Sequence, residues 1–499
     1  MVGERGTGVE QTLLPDPHRP RRRPRWRGLR RQLGGRRLRS TPSRLRWFTA
    51  GCLALTLLLG TVVLTAAAGA RSTWSAVDGR QAPQVLDATG LYQALTDLDA
   101  QSANILMFGD DPQLAVQRTT ALAQYARDRT GADQDLQRAT VDAAGSPQAQ
   151  QALAGVLDGL GRYQDLAARA MELNDRARVA AGRPDPTALA LYRQATDLMR
   201  TGLLPAADRL VQANNAAFNT SYHRQRSDLG TAETWTLVLG GLLLLSLLGL
   251  QLWLARHFRR IVNPLLAAAT LLAVVFLGLA GTLLPDQGEQ LRVARHDAFD
   301  SVVALTRARA VVYDANADES RYLLDHDRAA QYQDAFEAAS QRIVALPGAD
   351  IGSYDSALAS AITDYRGDHS DVAFGGFYGT EFRNVTFPGE RAAAEQALTT
   401  YQAYQLDDRK IRSLVAQGRL RDAIAFCTSL APGASNADFA AQDAALQRVT
   451  AINAHAFAAA ADRGRGELST RIPLLAGGAA LVLLLCLLGV RPRLAEFHG

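Results

Sequence analysis

The chain has 499 residues, and its 54 basic against 49 acidic side chains leave a formal net charge of +5. A hydrophobic content of 47% with 7% aromatic residues excludes a disordered or collagen-like protein. Three cysteines, two of them inside apolar runs, exclude a disulfide framework and a paired-cysteine zinc site. The mean hydropathy of −0.08 conceals long apolar segments, which exclude a purely soluble protein.

Four apolar segments predict four transmembrane helices, at residues 47–68, 235–254, 264–284 and 472–490. Each segment contains 19 to 22 residues and lacks Asp, Glu, Lys and Arg. A helix of about 20 residues crosses the ~30 Å hydrocarbon core of a bilayer, so each segment is long enough to span it. The sequence therefore predicts a multi-pass protein of the cell membrane.

Basic residues predict the orientation of these spans. Residues 1–46 carry 14 Arg against three acidic residues, and the short loop 255–263 and the tail 491–499 are also basic. The positive-inside rule places all three segments in the cytoplasm, so both termini are cytoplasmic and the long loops 69–234 and 285–471 lie outside. Cleavage of the first span as a signal peptide is the alternative, which the long basic segment before it disfavours.

The order of span, long loop and span occurs twice, which predicts an internal duplication. Residues 101–106 align with 319–324 at an offset of 218, and residues 214–218 align with 453–457 at an offset of 239. The spans at the two ends of the loops have nearly the same offsets. The difference of 21 assigns an insertion to the second loop, near residues 368–389. Chance similarity between Ala-rich helices is the alternative.

The composition of both outer loops favours helix, because Ala, Gln, Arg and Leu are abundant and β-branched clusters are few. The breaks expected between helices contain Gly or Pro: residues 131, 145–147, 182–184, 347–348 and 432–433. We therefore predict an all-α membrane protein with four transmembrane helices and two tandem-duplicated extracytoplasmic helical bundles. Pro83 and Pro285 follow membrane exits and are expected to interrupt the helices there.

No catalytic motif is found, so the chain is expected to be non-enzymatic and to need no cofactor or metal. Phosphate loops, His-Glu-x-x-His and nucleophile elbows are missing from the sequence. Asp325, His326 and Asp327 are expected to be solvated on a helix surface. Charge-free spans disfavour a transporter or channel. No cytoplasmic segment exceeds about 46 residues, so an inward signal is expected to pass to a separate protein.

The insertion in the second loop is the first candidate site. It concentrates aromatic residues between flexible glycines, at Phe374, Phe377, Tyr378 and Phe382. Such a segment suits a surface on which a partner protein docks. The alternative is that the loop folds its own rings back onto the bundle.

A repeated polar element is the second candidate site. It contains Ser102 and Asn104 in the first loop, with Glu319, Ser320 and Tyr322 at aligned positions of the second. Both copies are expected near the membrane-distal end of a long helix, where they would contact a ligand or partner. The alternative is that they cap or pack a helical turn.

The cytoplasmic arginines are the third candidate. The tail 1–46 is expected to lie on anionic lipid headgroups, at about 1 kcal/mol per basic residue, or to dock a cytoplasmic partner. Nucleic acid is not expected, because stacking aromatics do not interleave with the basic run. Arg256, Arg259 and Arg260 are predicted to form the cytoplasmic output.

The architecture, with the element at residues 317–324, resembles the GlnX-type four-span membrane proteins of actinobacteria. The resemblance covers residues 47–490. It implies a relay in which an extracytoplasmic solute-binding lipoprotein, of the glutamine-binding type, senses amino acids such as aspartate and glutamate. The state then passes inward to a soluble Ser/Thr kinase that controls nitrogen and 2-oxoglutarate metabolism.

The sequence thus predicts a non-enzymatic transmembrane signal relay. A chemoreceptor-like sensor that binds a small ligand directly, through Arg and Tyr side chains between helices, is one alternative. A structural envelope protein that assembles through its bundles is another.

Overall fold

The computed structural model describes residues 41–143, 146–258 and 263–495. The structure is 89% helical, and the described ranges contain no strand, only an isolated bridge between Ala345 and Gly375. Four helices are long and apolar enough to cross a membrane: Ser43–Phe108, Pro186–Arg256, Pro264–Leu324 and Ser435–Pro492. The predicted all-α fold with four spans is confirmed.

The helices divide between two consecutive parts of the chain, each with two spans. Those of the first part are α1 Thr41–Ala76, α2 Ala82–Phe108, α3 Ala115–Asp142, α4 Pro147–Ala177, α5 Pro186–Leu198 and α6 Leu204–Phe258. Those of the second are α7 Pro264–Arg292, α8 Asp300–Leu324, α9 Ala329–Ile343, α10 Tyr354–Gly367, α11 Gly376–Phe382, α12 Glu390–Ala416, α13 Leu420–Thr428 and α14 Ser435–Ala495. We call residues 69–234 and 285–471 the first and second halves of the helical domain.

The spans form a four-helix bundle in which α1 and α7 each pack against both α6 and α14. Side chains such as Leu59, Leu247, Phe276 and Val482 are buried between the helices. Many leucines point outward instead, and Leu245 remains 69% exposed. Apolar side chains on the outside of a helical bundle are typical of helices that face lipid.

The predicted helix interruptions at Pro83 and Pro285 are wrong. A π-helical turn at Val77–Gln81 joins α1 to α2, and the amide of Ala82 donates to the carbonyl of Val77. Pro83 follows in the first turn of α2, where a missing N–H is tolerated. Pro285 lies inside α7, and a second π-helical turn, Val293–Phe299, continues that helix into α8. Two continuous helical rods therefore run from the spans to the distal end.

The two rods pack against each other along α2 and α8. Each half has its own apolar core, and a further cluster joins the halves distally, where Met107 and Phe108 of α2 meet Leu323 and Leu324 of α8. Both rods carry a π-helical turn near the membrane and end in a 3₁₀ turn. This correspondence supports the duplication, which stays a prediction.

Most of the expected breaks between helices lie where Gly and Pro indicated them. α4 begins at Pro147 after the N-cap Ser146, whose hydroxyl accepts from the amide of Ala149 at 3.3 Å. Gly131 is the exception, because α3 continues through it, at the ~1 kcal/mol that glycine costs inside a helix. The end of α2 was not predicted. It lies at Gly109, where φ is +54° and an added Cβ would lie 2.4 Å from the carbonyl oxygen of Val179.

Candidate functional site

A cavity of about 340 Å³ lies between the two halves, at the distal ends of α2 and α8. Its walls come from α2 and α3 of the first half and from α8, the segment after α13, and α14 of the second. Among the described residues the lining has six carboxamides, three hydroxyls and one carboxylate, with no basic side chain. Its volume lies within the range of small-molecule sites, about 300–1,000 Å³. The carboxamides are Gln101, Asn104, Gln117, Gln124, Asn316 and Asn436.

Asp97 is the carboxylate of the cavity, and it is 7% exposed. Its Oδ1 accepts from Gln101 Nε2 at 2.8 Å and its Oδ2 from Gln124 Nε2 at 3.3 Å. The same Gln124 nitrogen donates to Asp128 Oδ1 at 2.8 Å, which joins the two carboxyl groups. Burial raises the pKa of Asp97, and burial together with the charge of Asp97 raises the pKa of Asp128 to about 8. At neutral pH Asp128 of this pair therefore holds a proton.

A buried ionic centre around Arg321 joins the halves close to the cavity. Its guanidinium is fully buried on α8, and its Nη2 and Nε donate to Asp99 Oδ2 of α2 at 2.6 and 3.1 Å. Its Nη1 donates to Asp318 Oδ1 at 2.6 Å. Asp99 also accepts from Tyr163 Oη at 3.0 Å and from Thr196 Oγ1 at 2.6 Å. Charge and hydrogen bonding are therefore largely satisfied at this contact between the halves.

The pKa of Asp318 lies above its usual range although Arg321 is close to it. Burial raises its pKa to about 6, although the charge of Arg321 acts in the opposite direction. The desolvation of the carboxylate thus outweighs the attraction of the guanidinium. Arg321 and the guanidinium of Arg200, whose Nη1 lies 3.7 Å from Asp318 Oδ1, both favour the ionised form of this acid.

Further ion pairs connect the halves between α5 and the segment that follows α8. Arg193 of α5 donates to both carboxylate oxygens of Asp325, with Nε at 2.7 Å from Oδ2, and to Asp327 at 2.9 Å. Arg328 donates to Asp197 at 2.8 Å. The expectation that Asp325 is solvated is wrong, because this carboxylate is fully buried against Arg193. Solvent exposure holds for His326 and for Asp327, whose side chain is 83% exposed.

The repeated polar element lies mostly inside this interface. Ser320 Oγ donates to Asn104 Oδ1 of the other half at 2.8 Å, and Ser102 Oγ lies 3.0 Å from Tyr163 Oη. Ser102, Glu319 and Ser320 are buried. The alternative reading, in which they pack inside the helical domain, therefore applies to them. The prediction that these three side chains dock a partner is wrong, because a partner cannot reach buried side chains. Asn104 is the member that lines the cavity.

Two members of the element, Glu319 and Tyr322, contact α12. Glu319 accepts from Tyr404 Oη at 2.9 Å, and burial raises its pKa well above the usual range, helped by the charge of Asp408. Tyr322 is half-buried, with the guanidinium of Arg412 4.7 Å from its ring centroid. Arg412 in turn forms a bidentate ion pair with Asp408, both bonds at 2.8 Å.

The aromatic insertion folds back onto the second half, between α10 and α12. Phe374, Tyr378 and Phe382 are buried at 1%, 1% and 4% exposure, and Phe382 packs edge-on against Tyr365 at 4.8 Å. The prediction that these three rings dock a partner is therefore wrong, and they belong to the core of the second half. Phe377 is half-buried and lines a separate cavity of about 120 Å³ between the halves.

The predicted cytoplasmic output is described only in part. Arg256 is exposed near the end of α6. Arg259 and Arg260 lie outside the described residues, as does the tail up to residue 40. Their role stays a prediction.

Sequence reasoning missed Asp97, Gln124 and the Arg321 centre. One signal was present: Asp314, Asp318 and Arg321 follow each other at helical spacings of four and three, and so lie on one face of α8. Acidic and basic residues on a core-facing stripe indicate a buried pair with a partner elsewhere. Across the described ranges, no group of three or more His, Cys, Asp or Glu is placed to hold a metal ion.

Comparison with known proteins gave a family match within the first half of the helical domain. Residues 73–223 match the family model Sensor_actino, described as an actinobacterial sensor domain. The matched segment forms the first half, including Asp97 and Asp99. The search of curated proteins gave no match, and neither did the search of solved structures. This match, together with the four apolar helices, fits an actinobacterial membrane sensor. The sensor domain suggests a sensing or signalling role.

Proposed function

We propose that this chain is a transmembrane sensor that binds a small molecule between the two halves of its helical domain. The helical domain faces the outside and the termini the cytoplasm, as the basic segments at residues 1–46 and 255–263 support. Occupancy of the cavity changes how α2 packs on α8. The change reaches the cytoplasmic ends of the spans, where a separate protein reads it.

One observation carries this proposal: two of the helices that line the cavity, α2 and α8, continue into the membrane spans. α2 joins α1 and α8 joins α7 through π-helical turns, so each rod extends from a span to the cavity wall. A ligand shifts a conformational equilibrium only by its difference in affinity between two states. A cavity shared by two rods meets this condition, because any change in their packing changes its walls.

A cavity-filling substitution tests the proposal without a known ligand. Ala121 lines the cavity and is 5% exposed, so Ala121→Phe places a ring inside it. Ala123→Phe is the matched control, because Ala123 is exposed on the same helix. In native cells, Ala121→Phe is expected to change the cytoplasmic phosphoproteome relative to wild type and to Ala123→Phe. If a deletion strain differs while Ala121→Phe matches its control at equal protein levels, the proposal is wrong.

The relay through a separate solute-binding lipoprotein is the second proposal, and the rim of the cavity favours it. Val116 and Leu430 stand at this rim with exposures of 77% and 67%. Exposed apolar side chains around a recessed site suit a protein partner. The cytoplasmic reader would be a Ser/Thr kinase that controls nitrogen and 2-oxoglutarate metabolism.

Affinity purification of the tagged protein from native membranes tests the relay. Wild type is expected to recover an amino-acid-binding lipoprotein and a Ser/Thr kinase. Val116→Asp with Leu430→Asp is expected to lose the lipoprotein and keep the kinase. Equal recovery of the lipoprotein with both forms would contradict docking at the rim.

A further inference from the structure

We propose that the cavity between the halves binds a small organic ammonium compound, an amine that is positively charged at neutral pH. This inference rests on the proposed function, since it assigns a ligand class to the proposed sensory site. It differs from recognition of a dicarboxylate such as aspartate or glutamate.

The charges around the cavity favour a cation. Asp97 is the only charged side chain among the described lining residues. From the packed elements, Asp128 and Arg127 of α3, Asp443 of α14 and Arg309 of α8 stand nearest to Asp97 or to its neighbours. Arg309 is neutralised by Asp443, with Nη2 at 3.0 Å from Oδ2.

These neighbours leave Asp97 without a buried cation at the cavity wall, and Arg127 reaches the wall only by donating to Gln124 Oε1. Arg127 is exposed, so solvent screens its charge. A bound ammonium group would pair with Asp97, whereas a bound carboxylate would be desolvated beside Asp97 without a basic partner.

The neutral part of the lining is also suited to an amine. Carboxamide oxygens accept hydrogen bonds from ammonium, and Gln117 Oε1 is buried without a partner among the described residues. Tyr313 and Phe439 form an edge-on pair with ring centroids 4.9 Å apart, and both line the cavity together with Phe108. Aromatic faces attract cations, and they cover the alkyl part of an amine equally well.

Ligand binding by this route is coupled to the proton that Asp97 and Asp128 share. A bound cation favours the fully ionised pair, so binding lowers its pKa and releases the proton. Because the free pair holds that proton up to a pKa of about 8, affinity rises with pH toward that value. Asp128→Asn removes the group that holds this proton and leaves Asp97 as the carboxyl group that faces the cation.

A series of four-carbon probes tests the ligand class on the full-length protein in nanodiscs by titration calorimetry. The probes are putrescine, 4-aminobutyrate and succinate, which replace ammonium by carboxylate stepwise. Putrescine is expected to bind most tightly and succinate not at all. Binding of succinate in preference to putrescine, or no binding of putrescine, would overturn the inference.

Variants of the carboxyl pair locate the site. Asp97→Asn with Asp128→Asn is expected to weaken putrescine binding at least about ten-fold, since an ammonium group then lacks its buried counter-charge. Asp133→Asn is the control, because Asp133 is an exposed acid on α3, the helix of Asp128. This variant is expected to bind putrescine like wild type. Asp128→Asn alone is expected to bind putrescine with affinity that no longer rises between pH 6.5 and about 8. Unchanged binding by the double variant would overturn the inference.

Failure of this inference is distinguishable from failure of the proposed function. If Ala121→Phe alters cellular output while putrescine does not bind, the sensor stands and the ligand class is wrong. If putrescine binds through Asp97 while Ala121→Phe has no effect on output, the site stands and the signalling role is wrong.

Discussion

Replacement of Arg321 by Met tests the ionic centre that joins the two halves. The guanidinium is fully buried and donates three hydrogen bonds to Asp99 and Asp318, at 2.6 to 3.1 Å. Met fills a similar volume without charge, so the substitution leaves Asp99 without its cation and Asp318 with only the more distant guanidinium of Arg200, at 3.7 Å. Breaking one side of a buried ion pair typically costs about 3–5 kcal/mol.

We expect the loss in the free energy of unfolding to lie in the lower part of that range, at about 3 kcal/mol. Asp99 keeps the hydroxyl donors of Tyr163 and Thr196, which continue to stabilise its charge. Asp318 has a pKa of about 6 with Arg321 in place, so without the guanidinium it takes up a proton near neutral pH. Both responses reduce the cost of the missing cation.

The assay is thermal unfolding of the full-length protein in detergent, scanned at one fixed rate because membrane-protein unfolding is often irreversible. Arg176→Met is the matched control, since Arg176 pairs with Glu172 on an exposed helix face, and its loss is expected to stay below about 0.5 kcal/mol. The variant Asp99→Asn with Arg321→Met is expected to recover part of the stability, which reveals coupling between the two sites. If Arg321→Met is as mild as Arg176→Met, the assignment of a buried ionic centre is refuted.

Two further predictions concern the second half and the membrane exit. Burial and the charge of Glu390 raise the pKa of Glu381 to about 8, against ~4.3 in an unfolded chain. Its contribution to stability is therefore complete below pH ~4.3 and is lost as pH rises to about 8. We expect the midpoint of thermal unfolding to fall from pH 6 to pH 8, and to fall less in Glu381→Gln. Equal pH dependence of both proteins would show that Glu381 is not the titrating group. At Gly464 an added Cβ would lie 2.5 Å from the buried ring of Trp74, so Gly464→Ala is expected to cost about 1–3 kcal/mol. Gly466→Ala, with no neighbouring atom within 4 Å, is expected to be neutral or slightly stabilising, and equal unfolding midpoints of the two variants would contradict the close packing at Trp74.

The spans and the helical class could be predicted because each depends on local sequence. An apolar run of about 20 residues admits few structures other than a membrane helix, whatever the rest of the chain does. The break at Ser146 and Pro147 is equally local, since the serine hydroxyl caps α4 and proline fits its first turn. The interruption expected at Pro83 failed because a π-helical turn, which local composition does not reveal, lies directly before it.

The candidate site could not be predicted because it is assembled from distant segments. Asp99 and Arg321 are 222 residues apart in the chain, and their contact depends on how α2 and α8 pack. The cavity depends on the same packing and on the segment after α13. Aromatic residues such as Phe374 suit a docking surface and a core equally well, so only the contacts with Tyr365 and Phe382 decide between them.

The spacing of the spans, measured with the cavity empty and filled, tests the central claim most directly. Trp47→Cys on α1 and Leu265→Cys on α7 place spin labels at lipid-facing positions, 68% and 37% exposed, while the three native cysteines are buried. Double electron–electron resonance in nanodiscs then compares Ala121→Phe with Ala123→Phe. A shifted or redistributed label distance in Ala121→Phe alone is the result that transmission along the two rods predicts. Superimposable distance distributions in both variants would contradict it.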